Sequence, residues 1–420
     1  MSLRLANRQT SIALVLCTLA QCKRYEPAAP WSPPADLFSE DAANSLLDAA
    51  SDAARVCVVR ANPPIDLGAR PIRNGTLAIS WSGSDWGVAW VELVDALPVV
   101  YFARVGRDGQ RHGTAIRVTE RGYRGSDPVM HWDGEGWMLV TSGGIGRFDE
   151  LWLQRIDPRG ALSGRPRKLT AGDRHDRGPS LIATAGGYLL AWAAEVQPRE
   201  HHAMVMRLGP WGQQLLAPES VAQRRSRITD VCVAPLANGA AVLWTATRSS
   251  NFVVEGVRVD DRGYRRTAVT RVVEAPHPLL DRGPRVACVS NGQQITLAWE
   301  SWREGVSRVN ISEFAGRIPT LPEAQELQDP DGTLSAPRLI HVDPTHVAVA
   351  LQRSVGEVDQ SAVVVIRQQN SGQSGVRVRV RGHEATAERP VLSLGEGVLG
   401  MVTQGPRGLS FHRIPLVPCE

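Results

Sequence analysis

Gly87-Val88-Ala89-Trp90 closes a short apolar run, and that run returns six more times along the chain. It reappears as Met138-Leu139-Val140-Thr141, Leu189-Leu190-Ala191-Trp192, Ala241-Val242-Leu243-Trp244, Thr296-Leu297-Ala298-Trp299, Ala348-Val349-Ala350-Leu351 and Gly400-Met401-Val402-Thr403. The closing positions, 90, 141, 192, 244, 299, 351 and 403, are separated by 51, 51, 52, 55, 52 and 52 residues. A fixed period of this kind is the signature of a repeat architecture. Two further landmarks move in step. Arg-apolar-x-x-x-Gly occurs at Arg104–Gly109, Arg155–Gly160, Arg207–Gly212 and Arg258–Gly263, with weaker copies at Ile311–Gly316 and Arg367–Gly372. A turn residue precedes each first strand at Pro128, Pro179, Asp230, Pro284, Pro337 and Pro390.

Within each unit, short runs of Val, Ile, Leu, Trp and Tyr alternate with Gly, Asp, Asn and Pro, the pattern of antiparallel strands. The second unit carries four such runs, at Val129–Trp132, Trp137–Ser142, Leu151–Ile156 and Arg167–Thr170. Four strands per unit in seven units is the arithmetic of a seven-bladed β-propeller, an all-β ring of four-stranded antiparallel blades. The last unit, Val391–Leu416, has only three strand-like segments. The missing outer strand is expected from Arg55–Arg60, which would lock the two ends of the ring into one blade. That closure brings Cys57 near Cys419 and predicts a disulfide, with a chain-entropy contribution on the order of 4–5 kcal/mol. Cys232 and Cys288 sit in first strands of adjacent blades and read equally as a pair across the blade gap or as two small buried hydrophobes.

Residues 1–22 carry Arg4 and Arg8, an apolar run from Ile12 to Ala20, and Cys22. A basic flank and a short apolar core are the layout of a secretory signal, too short to span a bilayer. Residues 23–55 divide into a Pro/Ala-rich spacer and a segment from 36 to 55 whose apolar spacing predicts one short helix. The propeller is expected over 56–420. The 420 residues carry a net charge of +4 with both signs interspersed, which gives no electrostatic case for nucleic acid. Lys23 and Lys168 are the only lysines. Arginine is therefore the chain's general cation, and its abundance alone is no binding signal.

Leu19-Ala20-Gln21-Cys22 resembles the lipobox of bacterial lipoproteins, with Gln21 where that family has a small residue. The resemblance implies lipidation at Cys22, with ordinary cleavage after Ala20 as the rival; Lys23 after the cysteine implies the outer membrane. Residues 56–420 resemble seven-bladed propellers in general. The recurring Gly-His and Trp-Asp marks of tryptophan-aspartate repeats are absent, each dipeptide occurring once, at Gly382-His383 and Trp132-Asp133. Ser84-Asp85-Trp86-Gly87-Val88-Ala89-Trp90 echoes the Asp-box of sialidase-like propellers, but Gly83 stands where that box has Ser or Thr.

Asp176-Arg177-Gly178-Pro179 returns as Asp281-Arg282-Gly283-Pro284, with a cousin at Arg124-Gly125-Ser126-Asp127-Pro128. Lying where an outer strand returns to the next inner one, Asp176, Arg177, Asp281, Arg282 and Arg124 are the candidate ligand residues of a funnel rim, since arginine clamps carboxylates or sulfates bidentately. The competing reading is that these turns are repeat grammar, each Arg paired to a neighbouring blade. His175, and His201-His202 beside Glu200, read as solvated loop histidines; Asp149-Glu150 and Asp260-Asp261 read as solvated turns. Trp90, Trp192, Trp244 and Trp299 share one slot and are expected between blades, whereas Trp211 and Trp302 fall outside it and are expected at the surface. No catalytic residue, metal ligand or cofactor site is assigned. The expectation is a monomeric, non-catalytic lipoprotein of the cell envelope, tethered to the membrane, whose propeller binds a protein or glycan. The alternative is an extracytoplasmic carbohydrate-active hydrolase or lyase using the funnel.

Overall fold

The computed structural model describes residues 56–58 and 61–418, apart from 73–74, 199, 249–250, 277–284, 304–305, 321–322, 330–331, 357–358, 370–375, 381–387 and 406–407. The expected signal, Cys22, the spacer and the short helix lie outside these residues. So do Asp281 and Arg282, and so does the Cys57–Cys419 pairing, because Cys419 and the side chain of Cys57 are not described.

Seven antiparallel sheets follow one another along the chain. Blade 1 runs through Ala78–Trp81, Asp85–Val94, Leu97–Gly106 and Arg111–Arg117. Blade 2 comprises Arg124–Trp132, Trp137–Gly144, Glu150–Ile156 and Leu162–Lys168. Blades 3 to 6 repeat the meander, their innermost strands being His175–Thr184, Arg227–Leu236, Val286–Ser290 and Thr333–His341. Blade 7 has Glu388–Gly395, Val398–Gln404 and Leu409–Pro418, and takes Val56–Val58 as its outer strand. The register is Val56↔Pro418, Cys57↔Val417 and Val58↔Leu416, so the ring closes on the borrowed N-terminal strand as the sequence predicts. Ile65–Asp66 then pairs with the same final strand at Phe411 and Ser410.

The apolar repeat explains why the sheets stack. Each second strand is apolar on both faces, so each blade must bury two surfaces. Among the described residues the buried apolar side chains form seven clusters, one in each gap between neighbouring blades. The tryptophans of the shared slot all face the preceding blade. Trp192 packs with Met138 and Val140 of blade 2, Trp244 with Leu189 and Ala191 of blade 3, Trp299 with Cys232 and Leu243 of blade 4. Trp90 packs with Val402 and Phe411 of blade 7 and seals the ring. Outside the slot, Trp211 is 55% exposed, whereas Trp302 is half-buried.

The Arg-apolar-x-x-x-Gly landmark is an interblade tie. Arg104 donates to the Pro158 carbonyl in the corresponding turn of blade 2 (3.0 Å), and Arg155 donates to Pro210 in that of blade 3 (3.4 Å). The glycines of four of these turns, Gly109, Gly160, Gly212 and Gly263, have positive φ and lie against the previous blade. At Gly212 φ is +72°, and an added Cβ would come within 2.6 Å of the Leu153 side chain.

Three expectations shift in detail. The Pro landmark is a bulge inside the innermost strand and not a turn before it. In blade 2 pairing begins upstream at Arg124↔Gly144 and slips between Ser126 and Val129, with Asp127 at φ +47°. Proline needs no ladder donor at a bulge, so the strand runs through it. The outer strand of blade 2 starts at Leu162 and not Arg167, because a second bulge between Ser163 and Arg167 lets polar residues pair. Finally, Cys232 and Cys288 form a disulfide between the innermost strands of blades 4 and 5, with Cα atoms 5.9 Å apart and a sequence separation of 56. A loop of that length corresponds to about 4 kcal/mol of chain entropy removed from the unfolded state.

The glycine contact yields a paired test. Gly134 also has positive φ (+96°), but nothing lies within 4 Å of an added Cβ. Gly134→Ala should cost only the left-handed backbone penalty, about 1–2 kcal/mol. Gly212→Ala adds the collision with Leu153 and should cost clearly more in urea unfolding. Equal losses would show that the turn does not press on its neighbour.

Candidate functional site

The innermost strands of all seven blades surround a central channel of about 290 Å³. Its wall is built from the inner strands of successive blades, including Ile79, Val129, Val231, Val286, Leu339 and Val391. Ser180, Asp230 and Arg338 add polar side chains to this lining, and the Cys232–Cys288 bridge runs through it. A smaller recess adjoins the channel where the inner strands begin, between Thr76, Leu77, Arg285, Ala336, Arg338, Pro390 and Val391. That end is the mouth.

Charge converges there from separate blades. Asp127 lies at its bulge with Thr76 Oγ1 and Ser126 Oγ each 3.4 Å from a carboxylate oxygen. Burial raises its pKa, opposed by the charge of Arg285, the Gly178 amide, Thr76 and the charge of Arg177. Asp230 Oδ2 accepts the Val286 amide at 3.1 Å, and its Oδ1 lies 3.9 Å from the Arg285 guanidinium. Glu300, fully buried in the second strand of blade 5, accepts the amides of Arg285 (3.1 Å) and Ala336. Ala336 has φ +51°, an uncommon conformation for a residue with a Cβ. The three carboxylates do one structural job: Asp127 with Gly178, Asp230 with Val286 and Glu300 with Ala336 each join a blade to the amide of the next.

The arginines are placed differently. Arg338 is part-buried in the channel wall, and burial lowers its pKa against the attraction of Asp230 and Glu300, with Arg285 adding to the lowering. Among the described residues its guanidinium makes no ion pair, and its one hydrogen bond runs from Nη1 to the adjacent Pro337 carbonyl (3.2 Å). Its other donors face the channel. Sequence reading missed Arg285 and Arg338, yet a signal was present: each directly follows a landmark proline, Pro284 and Pro337, as do Val129, Ser180 and Val391 in other blades.

Of the candidate rim residues, Asp176 is 1% exposed and accepts the Trp192 indole N–H at 2.7 Å and Arg174 Nε at 3.1 Å. Arg177 is half-exposed and pairs with Asp149 of blade 2 at 2.7 Å. Arg124 reaches the same carboxylate at 3.3 Å and the Gly146 carbonyl at 2.7 Å. Asp149 is thus the hub of a network completed by His175 Nδ1 at 3.0 Å, and not a solvated turn; Asp260 keeps the turn position expected of it. His201 and His202 lie in the third strand of blade 3 and not in a loop. His201 is buried, which lowers its pKa, and His202 Nε2 sits 3.0 Å from Glu200.

No protein-family model matches the sequence, and no curated protein matches it. Three solved structures of similar backbone course are a protein of unknown function from Dyadobacter fermentans, a sialidase from Streptococcus pneumoniae and a polysaccharide lyase. The first has 10% identity and a TM-score of 0.48, covering 86% of this chain and 98% of its own. The sialidase has 9% identity and a TM-score of 0.45, covering 85% and 71%. The lyase has 9% identity and a TM-score of 0.49, covering 82% and 90%.

The Asp149 network has a pH signature. Burial pushes its carboxyl up, but hydrogen bonds from Arg177 and His175 and the charges of Arg177 and Arg124 outweigh it and hold the pKa below the usual range. A carboxyl depressed on folding contributes stability above its unfolded value and loses it as pH falls through the folded one. Asp149→Asn should therefore destabilise by about 1–2 kcal/mol at pH 7. The gap from wild type should close as pH drops below the ordinary carboxylate range, followed by thermal melts. A gap independent of pH would exclude the ionic contribution.

Proposed function

We propose that this chain is a non-catalytic binding module of the cell envelope, holding a protein or glycan partner over the mouth of its channel. The observation that carries the reading is the division of labour at the mouth. Asp127, Asp230 and Glu300 are committed to amides of the next blade, while the donors of Arg338 remain open. General acid–base work needs carboxyl groups within reach of a substrate proton; here the carboxyls hold blades together, and the open groups are permanent cations suited to binding. The anchor belongs to the same proposal: Cys22 carries the lipid, and 23–55 spaces the ring from the outer membrane. An extracytoplasmic hydrolase is the second reading. It would draw on Asp127, whose raised pKa is the property of a general acid.

Site-specific photo-crosslinking in cells tests the placement. A photoreactive residue at Thr76, beside the mouth, should yield a discrete adduct with an envelope protein or glycan. One at Glu135, in the turn at the opposite end of an inner strand, should not. Adducts from both positions alike, or from neither, would remove the mouth as the binding face. Cys22→Ser should move the protein out of the membrane fraction; retention there would contradict the anchor.

A further inference from the structure

A guanidinium is costly to enclose unless it is paired. Arg338 is part-buried in the channel wall, carries one hydrogen bond to its neighbour's carbonyl, and has no ion-pair partner among the described residues. Arg285 stands beside it in the same recess, and its nearest described carboxylate oxygen is 3.9 Å away, too long for a tight pair. The backbone here is held in place by other means: Glu300 fixes the amides of Arg285 and Ala336 from beneath. The two cations are thus positioned by a rigid frame and left open on one side.

The geometry points to a carboxylate-binding site at the mouth, in which Arg338 and Arg285 receive the carboxylate of a small organic acid or of a chain end. This rests on reading the mouth as the binding face. Three features select this chemistry. The arginine fork matches a planar carboxylate through two parallel hydrogen bonds. Asp127, Asp230 and Glu300 surround the cations and would repel a doubly charged phosphate or sulfate more than a single charge. The channel behind the arginines, about 290 Å³, admits only a small group.

Calorimetric titration of the full-length protein with hexanoate is the test, with hexanamide, acetyl-Ala-Val, its C-terminal amide and sulfate as the other probes. Hexanoate should bind saturably and hexanamide at least tenfold more weakly. Tighter binding of acetyl-Ala-Val than of hexanoate, lost in its amide, would assign the site to chain ends; the reverse would assign it to free acids. Arg338→Met should lose at least tenfold in affinity while melting at or above the wild-type temperature without ligand, because it removes a part-buried charge. Arg338→Lys keeps the charge but not the fork, and should fall between them. The proposal is overturned if hexanoate does not bind, if hexanamide binds equally, or if only sulfate binds. A large fall in melting temperature for Arg338→Met, restored by Lys with no carboxylate affinity in either protein or wild type, would make Arg338 a structural cation. Loss of the Thr76 crosslink in Arg338→Met without any hexanoate binding would leave the mouth as the binding face and overturn only the carboxylate assignment.

Discussion

Everything in this ring depends on sheets that are apolar on both faces. A lone four-stranded blade would leave two hydrophobic surfaces in water; stacked radially, each surface meets its neighbour. The seven interblade clusters are therefore the core, with no single central one. Such an arrangement is stable only if it has no first and last face, and the gap between blades 7 and 1 is sealed by Trp86 and Trp90 against Val402 and Phe411. The borrowed strand 56–58 adds backbone pairing to that closure, so the ends of the propeller hold each other.

This constraint explains which parts of the chain repeat. The second strand lies in two gaps at once, so its apolar tetrapeptide returns with a tryptophan or a substitute at a fixed slot. The indole N–H then needs a buried acceptor, and the solutions differ: Glu92 for Trp90, Asp176 for Trp192, Glu255 for Trp244. Asp176 therefore belongs to the packing of its tryptophan, although its place in a repeated Asp-Arg-Gly-Pro motif made it look like a rim residue. Arg177 and Arg124 meet on Asp149 in the same way, across and within the gap between blades 2 and 3.

The fold was legible because interblade packing imposes one demand seven times, and repetition makes a weak local signal strong. Gly-Val-Ala-Trp alone says little, but at a period near 52 it identifies a blade. Ring closure was legible by counting, since the last unit lacked a strand and Val56–Val58 supplied one. The mouth was not legible for the opposite reason. Its residues come one per blade, where the repeat makes no uniform demand: Val129, Ser180, Arg338 and Val391 share a position but no chemistry, and Arg285 stands offset from it. Proline obscured the slot further. Read as a turn, it placed the following residue at the start of a strand, whereas the bulge at Ser126–Val129 and its counterparts carry that residue to the channel.

The inner slot lines the channel, and its apolar members Val129 and Val391 also pack between blades. The carboxylates just behind it are different. Asp127, Asp230 and Glu300 accept the amides of Gly178, Val286 and Ala336 across the blade gaps, those of Gly178 and Ala336 lying at bulges of the inner strands. Unsatisfied amides at these depths would each cost about 1–3 kcal/mol, so the acids are needed whatever the channel holds. Their negative charge makes the mouth hospitable to cations, and Arg285 and Arg338 occupy it. Carboxylates fix the backbone, the backbone fixes the arginines, and the arginines are left with donors pointing into a channel too narrow to solvate them as bulk water would. Chemistry specific to this chain is therefore concentrated at the mouth, where Arg338 stands at the position that Val129 and Val391 fill with packing side chains.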